Sequence, residues 1–562
     1  MGHYLLTTTG DRPAARPIWV IEHWPLLALL VIALALRLVW ISWESPVLQG
    51  DECEYLRIAE NLLRNHRYAG LYEGLQLVYP PLFPILIALA SLVTPSFQTA
   101  GILVAVLGGL SLVVAMYGLA RHLYGMRVGL IAATLGACFP PLVELSGAIY
   151  SQTVYIPLVV GGVFFAVRWL DRVGRGSALL CGACFGLAYL TRPEAIVCPL
   201  VIAAAFALTA RLHDSSVRMA LTKTLPLLAT TAILAAPYVA YLSIQTGALH
   251  FEGKSVMNYT IAQRVNAGMD LNEAQWGIGP ALQEDGPLLS PNRWILSAPA
   301  AVPLSGLPEY WIRNARRTSS QLRWTLESTA FGGLLMNGLA ILGLVFQQWS
   351  RQRFAREVLV FTIVAGYSAA LLGQHYVFFH YAVPLLPFLL VWASNGIEVV
   401  TRWLVAGARR AAGSKVSGIV WLSRGIPCLL LLGLFLLGAQ GLKGGGEFKS
   451  TQPSELYRKE AGLWLAREPA VSRKVMSTSN EVPFYAGATA MRLPYATEAV
   501  ALAYIRAKSP DYVVLTRERS SVGPYYYDKW RKQAIPDSAA RLVHQIGPAD
   551  DPELAIYQWR TK

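Results

Sequence analysis

Charge is what this chain has least of. Only 15% of its 562 residues are charged, 54% are hydrophobic, and the mean hydropathy is +0.41. A soluble domain carries about 25% charged residues, so a soluble globular protein is excluded. Acid is the scarcer sign: 34 acidic against 48 basic residues leave a net charge of +14. That excess does not point to nucleic acid, because the basic residues gather in short loops between apolar runs, as cytoplasmic loops of membrane proteins do. Cysteine is sparse as well. Cys138, Cys181, Cys184, Cys198 and Cys428 lie in apolar segments, where a thiol acts as a small hydrophobe. Cys181-x-x-Cys184 has redox spacing but lies inside LLCGACFGLAYL with no second pair or histidine nearby, so no metal or redox centre is read there. No inverted or tandem repeat is visible.

Long apolar runs are plentiful, several of them reaching the roughly 20 residues that cross a bilayer as helix. The segment 24–43 reads as a retained first span rather than a signal peptide, and Arg12 and Arg16 before it place its start in the cytoplasm. Further spans are expected near 99–120, 127–142, 150–169, 177–191, 194–210, 221–245, 328–347, 357–373, 379–400 and 417–440. The basic loops 121–127, 168–175, 211–223, 351–356 and 402–415 alternate sides correctly only if the apolar segment 80–94 does not cross. At about 22 Å of helix against a core of roughly 30 Å, it is too short to do so. The expected fold is an all-α polytopic membrane protein of about eleven transmembrane helices plus juxtamembrane helices, with a small soluble α/β C-terminal domain. Residues 1–440 form the membrane domain, with external loops at 44–98 and 247–325. Residues 441–562 form an extracytoplasmic domain, in which KVMST and DYVVLT read as strands and ALAYIRAK as a helix. The predicted location is the plasma (inner) membrane.

The polar stretch after the first span carries the most chemistry. Gly50 permits a sharp turn, and Asp51 stands at a helix start where its carboxylate could cap free backbone N–H groups. Tyr55, Ile58, Ala59 and Leu62 share one helical face, which predicts a helix lying on lipid with its acidic tip projecting. The plain alternative is that Asp51 only caps this helix. Glu144, after Pro140-Pro141, is expected on the same side of the membrane, as are Arg192 and Glu194 in a tight turn, and His375, His380 and Tyr381. An arginine at the edge of lipid is costly and has a paired or functional reason; an Arg192–Glu194 pair is the plain one. Two acids and an arginine converging at the outer face suit a transfer reaction, in which a carboxylate takes a proton from an acceptor and a cation neutralises a leaving phosphate.

GDECEYLRIAENLL, YPPLFPILIALASLV, RHLYG, LTRPEA and HYAVPLLP, in that order, resemble glycosyltransferase family 39 of the GT-C superfamily, over most of residues 20–400. This group includes protein O-mannosyltransferases and the lipid A aminoarabinose transferase. The resemblance implies an inverting enzyme that moves a sugar from a polyprenyl-phosphate carrier to an extracytoplasmic lipid, glycan or protein. It makes Asp51 the base, Glu144 a second catalytic acid and Arg192 the cation for the carrier phosphate. Glu52, Arg57, Tyr79, Glu194, His380 and Tyr381 are the further candidate binding residues. No metal or other cofactor is expected, although Asp51 and Glu144 could share a divalent ion; the partners are the carrier sugar and membrane lipid.

The chain departs from relatives at four places. Tyr79 stands where the aminoarabinose transferase has lysine, and Glu54 where it has arginine. Ser151-Gln152 replaces a Thr-Glu pair of the wider group, and His380 an arginine. Phosphate binding is therefore expected to rest on Arg192, Arg57 or the 313–317 cluster. Competing readings are a transporter or lipid flippase, and a glycan ligase or polymerase using lipid-linked chains. Polar residues at the outer ends of spans, rather than at the midplane, favour surface chemistry over translocation.

Overall fold

A computed structural model describes residues 18–43, 47–171, 174–209, 217–298, 306–374, 376–377, 379–412, 417–441, 453–469, 473–517 and 524–560; His375 lies outside them. Seven helices are long and apolar enough to cross a membrane, and an eighth span is made if the bent pair Leu307–Glu327 and Thr329–Val345 counts as one. Three of the eleven expected spans are shorter apolar helices, Met126–Cys138, Gly176–Tyr189 and Pro193–Ala207. The first of these stops because Pro140 and Pro141 follow, and proline supplies no N–H to continue the ladder.

Arg37 repairs that break. Its side chain is fully buried, donating from Nη1 to the carbonyls of Ala33 at 3.0 Å and Ala137 at 3.1 Å. Nη2 reaches the Gly136 carbonyl at 3.2 Å and Nε the Ser146 hydroxyl at 3.1 Å. The carbonyls a helix end leaves open in an apolar setting are thereby satisfied. Elsewhere the helices close on small residues. Gly343 and Gly396 let the Gly333–Val345 and Leu386–Ala412 helices meet backbone to backbone, since a Cβ at either would overlap the other's carbonyls.

The apolar segment after Pro80-Pro81 forms only the nine-residue helix Leu82–Ala90, too short to span. Against it packs the amphipathic helix Asp51–Asn65, whose Tyr55, Leu56 and Ala59 meet Phe83, Ile87, Ala100 and Val104. The expectation that this apolar face lies on lipid is thus corrected: protein covers it, because the Leu82–Ala90 and Phe97–Tyr124 helices stand beside it.

The C-terminal part holds five strands, β1 (Lys474–Ser477), β2 (Thr489–Arg492), β3 (Tyr512–Thr516), β4 (Ala540–Ile546) and β5 (Leu554–Trp559). Their order is β2-β1-β3-β5-β4, parallel through β2, β1 and β3 and antiparallel at β5 and β4. The strands expected from KVMST and DYVVLT are β1 and β3, and ALAYIRAK lies in the helix Glu498–Lys508. The sheet does not hang free of the membrane part. Ala490 N–H donates to the Leu71 carbonyl and Tyr495 N–H to the Trp276 carbonyl, each at 2.9 Å.

Candidate active site

Gly50 sets the geometry of the Asp51 loop. Its φ of +50° and ψ of −116° suit only glycine, and it takes the N-cap position itself, leaving Asp51 as the first helical residue. No side chain caps this helix. The Asp51 carboxylate instead accepts a hydrogen bond from the Tyr79 hydroxyl at 2.7 Å, across the loop.

A buried relay holds Tyr79. Glu54 accepts the Leu71 N–H at 2.8 Å and the Gln76 side-chain amide at 2.7 Å. The Gln76 oxygen in turn takes the N–H groups of Val78 at 2.8 Å and Tyr79 at 3.2 Å. Burial pushes the Glu54 carboxyl up to about 7, against the pull of those two donors. The residue standing in place of the relative's arginine is thus part of the loop's internal frame.

Asp51 and Tyr79 border a cavity of about 400 Å³. Arg192, Glu194, His380 and Tyr381 line it too, so six of the nine candidate site residues meet here. Arg192 pairs with Glu194 through Nε at 2.7 Å, while Nη1 points to the Ser151 hydroxyl at 3.4 Å. Its guanidinium lies 5.9 Å from the ring centres of both Tyr155 and Tyr381. His380 stacks on Tyr150 at 6.3 Å, a second member of the cavity wall.

Three candidates lie outside this cavity. Glu52 is fully buried, accepting the Gln49 N–H at 2.9 Å and the Ile149 N–H at 2.8 Å. Arg57 donates to the Phe484 carbonyl at 2.9 Å and lies over the Phe484 ring, so it fastens the C-terminal part. Glu144 is buried on the short helix Pro140–Leu145, against the first helix and the Ser417–Gly441 helix. Each was expected near Asp51 because chain proximity or a shared membrane side brought it there; packing turns each elsewhere. The 313–317 cluster is likewise absent from the cavity wall: Arg313 pairs with Glu309, and Arg317 donates to Asn266 and Asn314.

Sequence reasoning missed two wall residues, Glu252 and Lys254. The Lys254 ammonium sits 4.2 Å from the Tyr79 ring centre, a cation–π contact. Among the described residues no carboxylate lies within ion-pair distance of it. Burial lowers its pKa, with the charges of Asp51, Glu194 and Glu252 opposing that shift and Arg192 adding to it. Burial also pushes Glu252 up to about 7. The only signal in the sequence was a lysine in a long polar loop, and such lysines are ordinary. Among the described residues no group of three or more His, Cys, Asp or Glu could hold a metal ion.

The opposite end of the Gln152–Asp171 helix is electrostatically different. There Asp171 pairs with His122 at 2.5 Å and Arg356 at 2.8 Å, and Arg127 approaches Glu398 at 3.9 Å. Gln152, at the start of that helix, lines the Asp51 cavity, whereas Arg356 meets Asp171 at its end.

Residues 78–241 match the family of dolichyl-phosphate-mannose-protein mannosyltransferases. No curated protein matches the chain in sequence. Among solved structures, the fold is similar to the oligosaccharyltransferase AglB of Archaeoglobus fulgidus, solved with an inhibitory peptide and a dolichol-phosphate. That match has TM-score 0.59 and 15% identity, over 88% of this chain and 70% of that one. It is also similar to ArnT of Cupriavidus metallidurans bound to undecaprenyl phosphate, with TM-score 0.52 and 13% identity, over 95% and 98% of the two chains. Apo ArnT gives TM-score 0.56 at 13% identity, over 96% and 98%.

Proposed function

We propose that the chain is a membrane glycosyltransferase of the GT-C type that uses a polyprenyl-phosphate sugar, an inverting transferase with Asp51 as its base, a reading supported by the family match over residues 78–241 and by the shared fold. One observation carries the assignment: the Asp51 carboxylate opens into a cavity that also holds two cations, Arg192 and Lys254. A polyprenyl-phosphate sugar seated there presents its phosphate to the cations and its anomeric carbon toward Asp51. The acceptor hydroxyl gives its proton to the Asp51 carboxylate, and its oxygen attacks the anomeric carbon. The carbon–oxygen bond to the phosphate breaks, and the phosphate leaves with the electron pair beside Arg192 and Lys254. Tyr79 holds the carboxylate in line through its hydroxyl. Attack from the face opposite the leaving group inverts the configuration.

The same reading puts the Asp51 end and the C-terminal sheet outside the cytoplasm. The arginine-bearing loops at the far end of the bundle support it, since such loops stay cytoplasmic. Asp51→Asn tests the base: with a polyprenyl-phosphate sugar supplied, transfer should fall by at least about a thousandfold while polyprenyl phosphate still binds. Near wild-type transfer by the variant would sink the assignment.

A further inference from the structure

Asp51 borders a second cavity, of about 360 Å³, which Arg192 does not line and which adjoins the first along Asp51, Val78, Tyr79 and Leu288. Its walls are the Asp51 turn, the loop through Tyr72 and Gln76, Trp276 with Asn292, and the C-terminal residues Asn480 and Arg492. We propose that this cavity is the acceptor site and that the acceptor it takes is a saccharide, bound between the C-terminal sheet and Asp51. The inference rests on the proposed role of Asp51 and adds the class of molecule that gives up its proton there.

Three observations separate a saccharide from the other acceptors. First, no wall residue lies on a candidate membrane span, so the cavity itself offers an acyl chain no lipid-facing helix surface to lie against. Second, extended peptides commonly dock by adding a strand to a sheet edge. The near edge here is β2, and it is occupied: Tyr72 bridges to Ala490, and Gly277 bridges to Tyr495 just beyond the strand. Third, the wall combines an aromatic plate, Trp276, with many polar groups, charged (Asp51, Glu54, Arg458, Glu481, Arg492) as well as neutral. Arg492 lies 5.0 Å from the Trp276 ring centre and has no carboxylate partner among the described ion pairs. The side-chain amides of Gln76, Asn292 and Asn480 also line the cavity, held in place by bonds to the Asp51 loop and its neighbours. Hydroxyl-rich rings with one apolar face match a plate surrounded by amides and a guanidinium. The volume is that of a small polar ligand, enough for a mono- or disaccharide end.

The wall also reaches Asp51 mechanically. Glu481, another wall residue, accepts the Gly50 N–H at 2.8 Å, and the Asn480 side-chain amide donates to the Gly50 carbonyl at 3.3 Å. A ring bound beside Asn480 therefore touches the segment that fixes the turn carrying the base.

The test uses the full chain purified in detergent and ligand-observed saturation-transfer NMR. The probes are a panel of neutral and acidic methyl glycosides and disaccharides at millimolar concentration, with farnesyl phosphate titrated separately. Wild type should saturate at least one saccharide. Trp276→Ala, which removes the stacking plate, and Arg492→Ala, which removes a charge-assisted hydrogen bond, should each weaken that binding at least about tenfold. Both should keep wild-type affinity for farnesyl phosphate, which also shows that they fold. Farnesyl phosphate binding with no saccharide bound, or saccharide binding indifferent to both substitutions, overturns the inference and leaves the donor reading intact. Saccharide binding lost in the variants but no farnesyl phosphate binding by wild type supports the acceptor cavity and sinks the donor reading instead.

Discussion

Lys254→Gln offers the sharpest test of the donor cavity, because it removes one cation while leaving both partners of the Asp51–Tyr79 hydrogen bond in place. The ammonium lies over Tyr79, whose hydroxyl holds Asp51, so an anion placed beside Lys254 is also beside the base. A charge-assisted hydrogen bond contributes about 1.5–3 kcal/mol net, which converts to a rise of about 10- to 150-fold in the dissociation constant for polyprenyl phosphate. The pH dependence has a definite sign. Glu252 gains its negative charge as pH rises through about 7, and Lys254, its pKa lowered by burial, loses its positive charge earlier than an exposed lysine would. Both steps reduce the positive potential facing the phosphate, but the Glu252 step occurs in both proteins, so it is the loss of the Lys254 charge that should make wild-type affinity fall with rising pH relative to the variant. The phosphate's own ionisation is common to both proteins and cancels in that comparison. Isothermal calorimetry or thermal-shift titration between pH 5.5 and pH 9 reads both effects. Equal dissociation constants for wild type and variant across that range would show that the phosphate sits away from Lys254 and refute the argument.

Three further outcomes follow from the geometry. Glu54 binds its proton more tightly folded than unfolded, so the stability it contributes is full below its ordinary value of 4.5 and is lost as pH rises through about 7. The loss is about 3 kcal/mol, and Glu54→Gln should flatten the fall in melting temperature between pH 5 and pH 8; an unchanged slope contradicts the assignment. Gly50→Ala meets open space but a forbidden backbone conformation, so it should cost about 1–3 kcal/mol and cut transfer more than it cuts polyprenyl phosphate binding. Equal activity would mean the turn relaxes without moving Asp51. Arg37→Met should destabilise the protein by about 2–5 kcal/mol, because it strips hydrogen bonds from the broken helix end. A melting temperature within a degree of wild type would mean other groups satisfy those carbonyls.

Much of the site was legible because one-dimensional signals were strong. A glycine before an acid and an arginine trapped between apolar runs marked Asp51 and Arg192, the family resemblance marked Tyr79, and these three line one cavity. Two local details were not legible. Whether Asp51 caps its helix depends on the Gly50 torsions, and whether Tyr55 and Ala59 meet lipid or protein depends on where Leu82–Ala90 packs. Glu52, Arg57 and Glu144 failed as neighbours of the cavity because charge and membrane side do not specify which way a side chain turns. Lys254 and Glu252 were hidden for the opposite reason. They come from a loop with no periodicity, brought to Tyr79 by contacts some 175 residues apart in sequence. The shortfall in full-length spans comes from Pro140 and from helices that stop short, which total hydropathy does not register.

The grip of Glu481 on Gly50 joins positions 431 residues apart. A ribosome therefore has nearly the whole chain behind it before the turn carrying Asp51 receives its last support. Until then the membrane helices can insert and pack, but the reactive loop lacks one wall. A chain truncated before β1 lacks that support, and should insert normally yet remain silent toward the carrier sugars present in the bilayer around it.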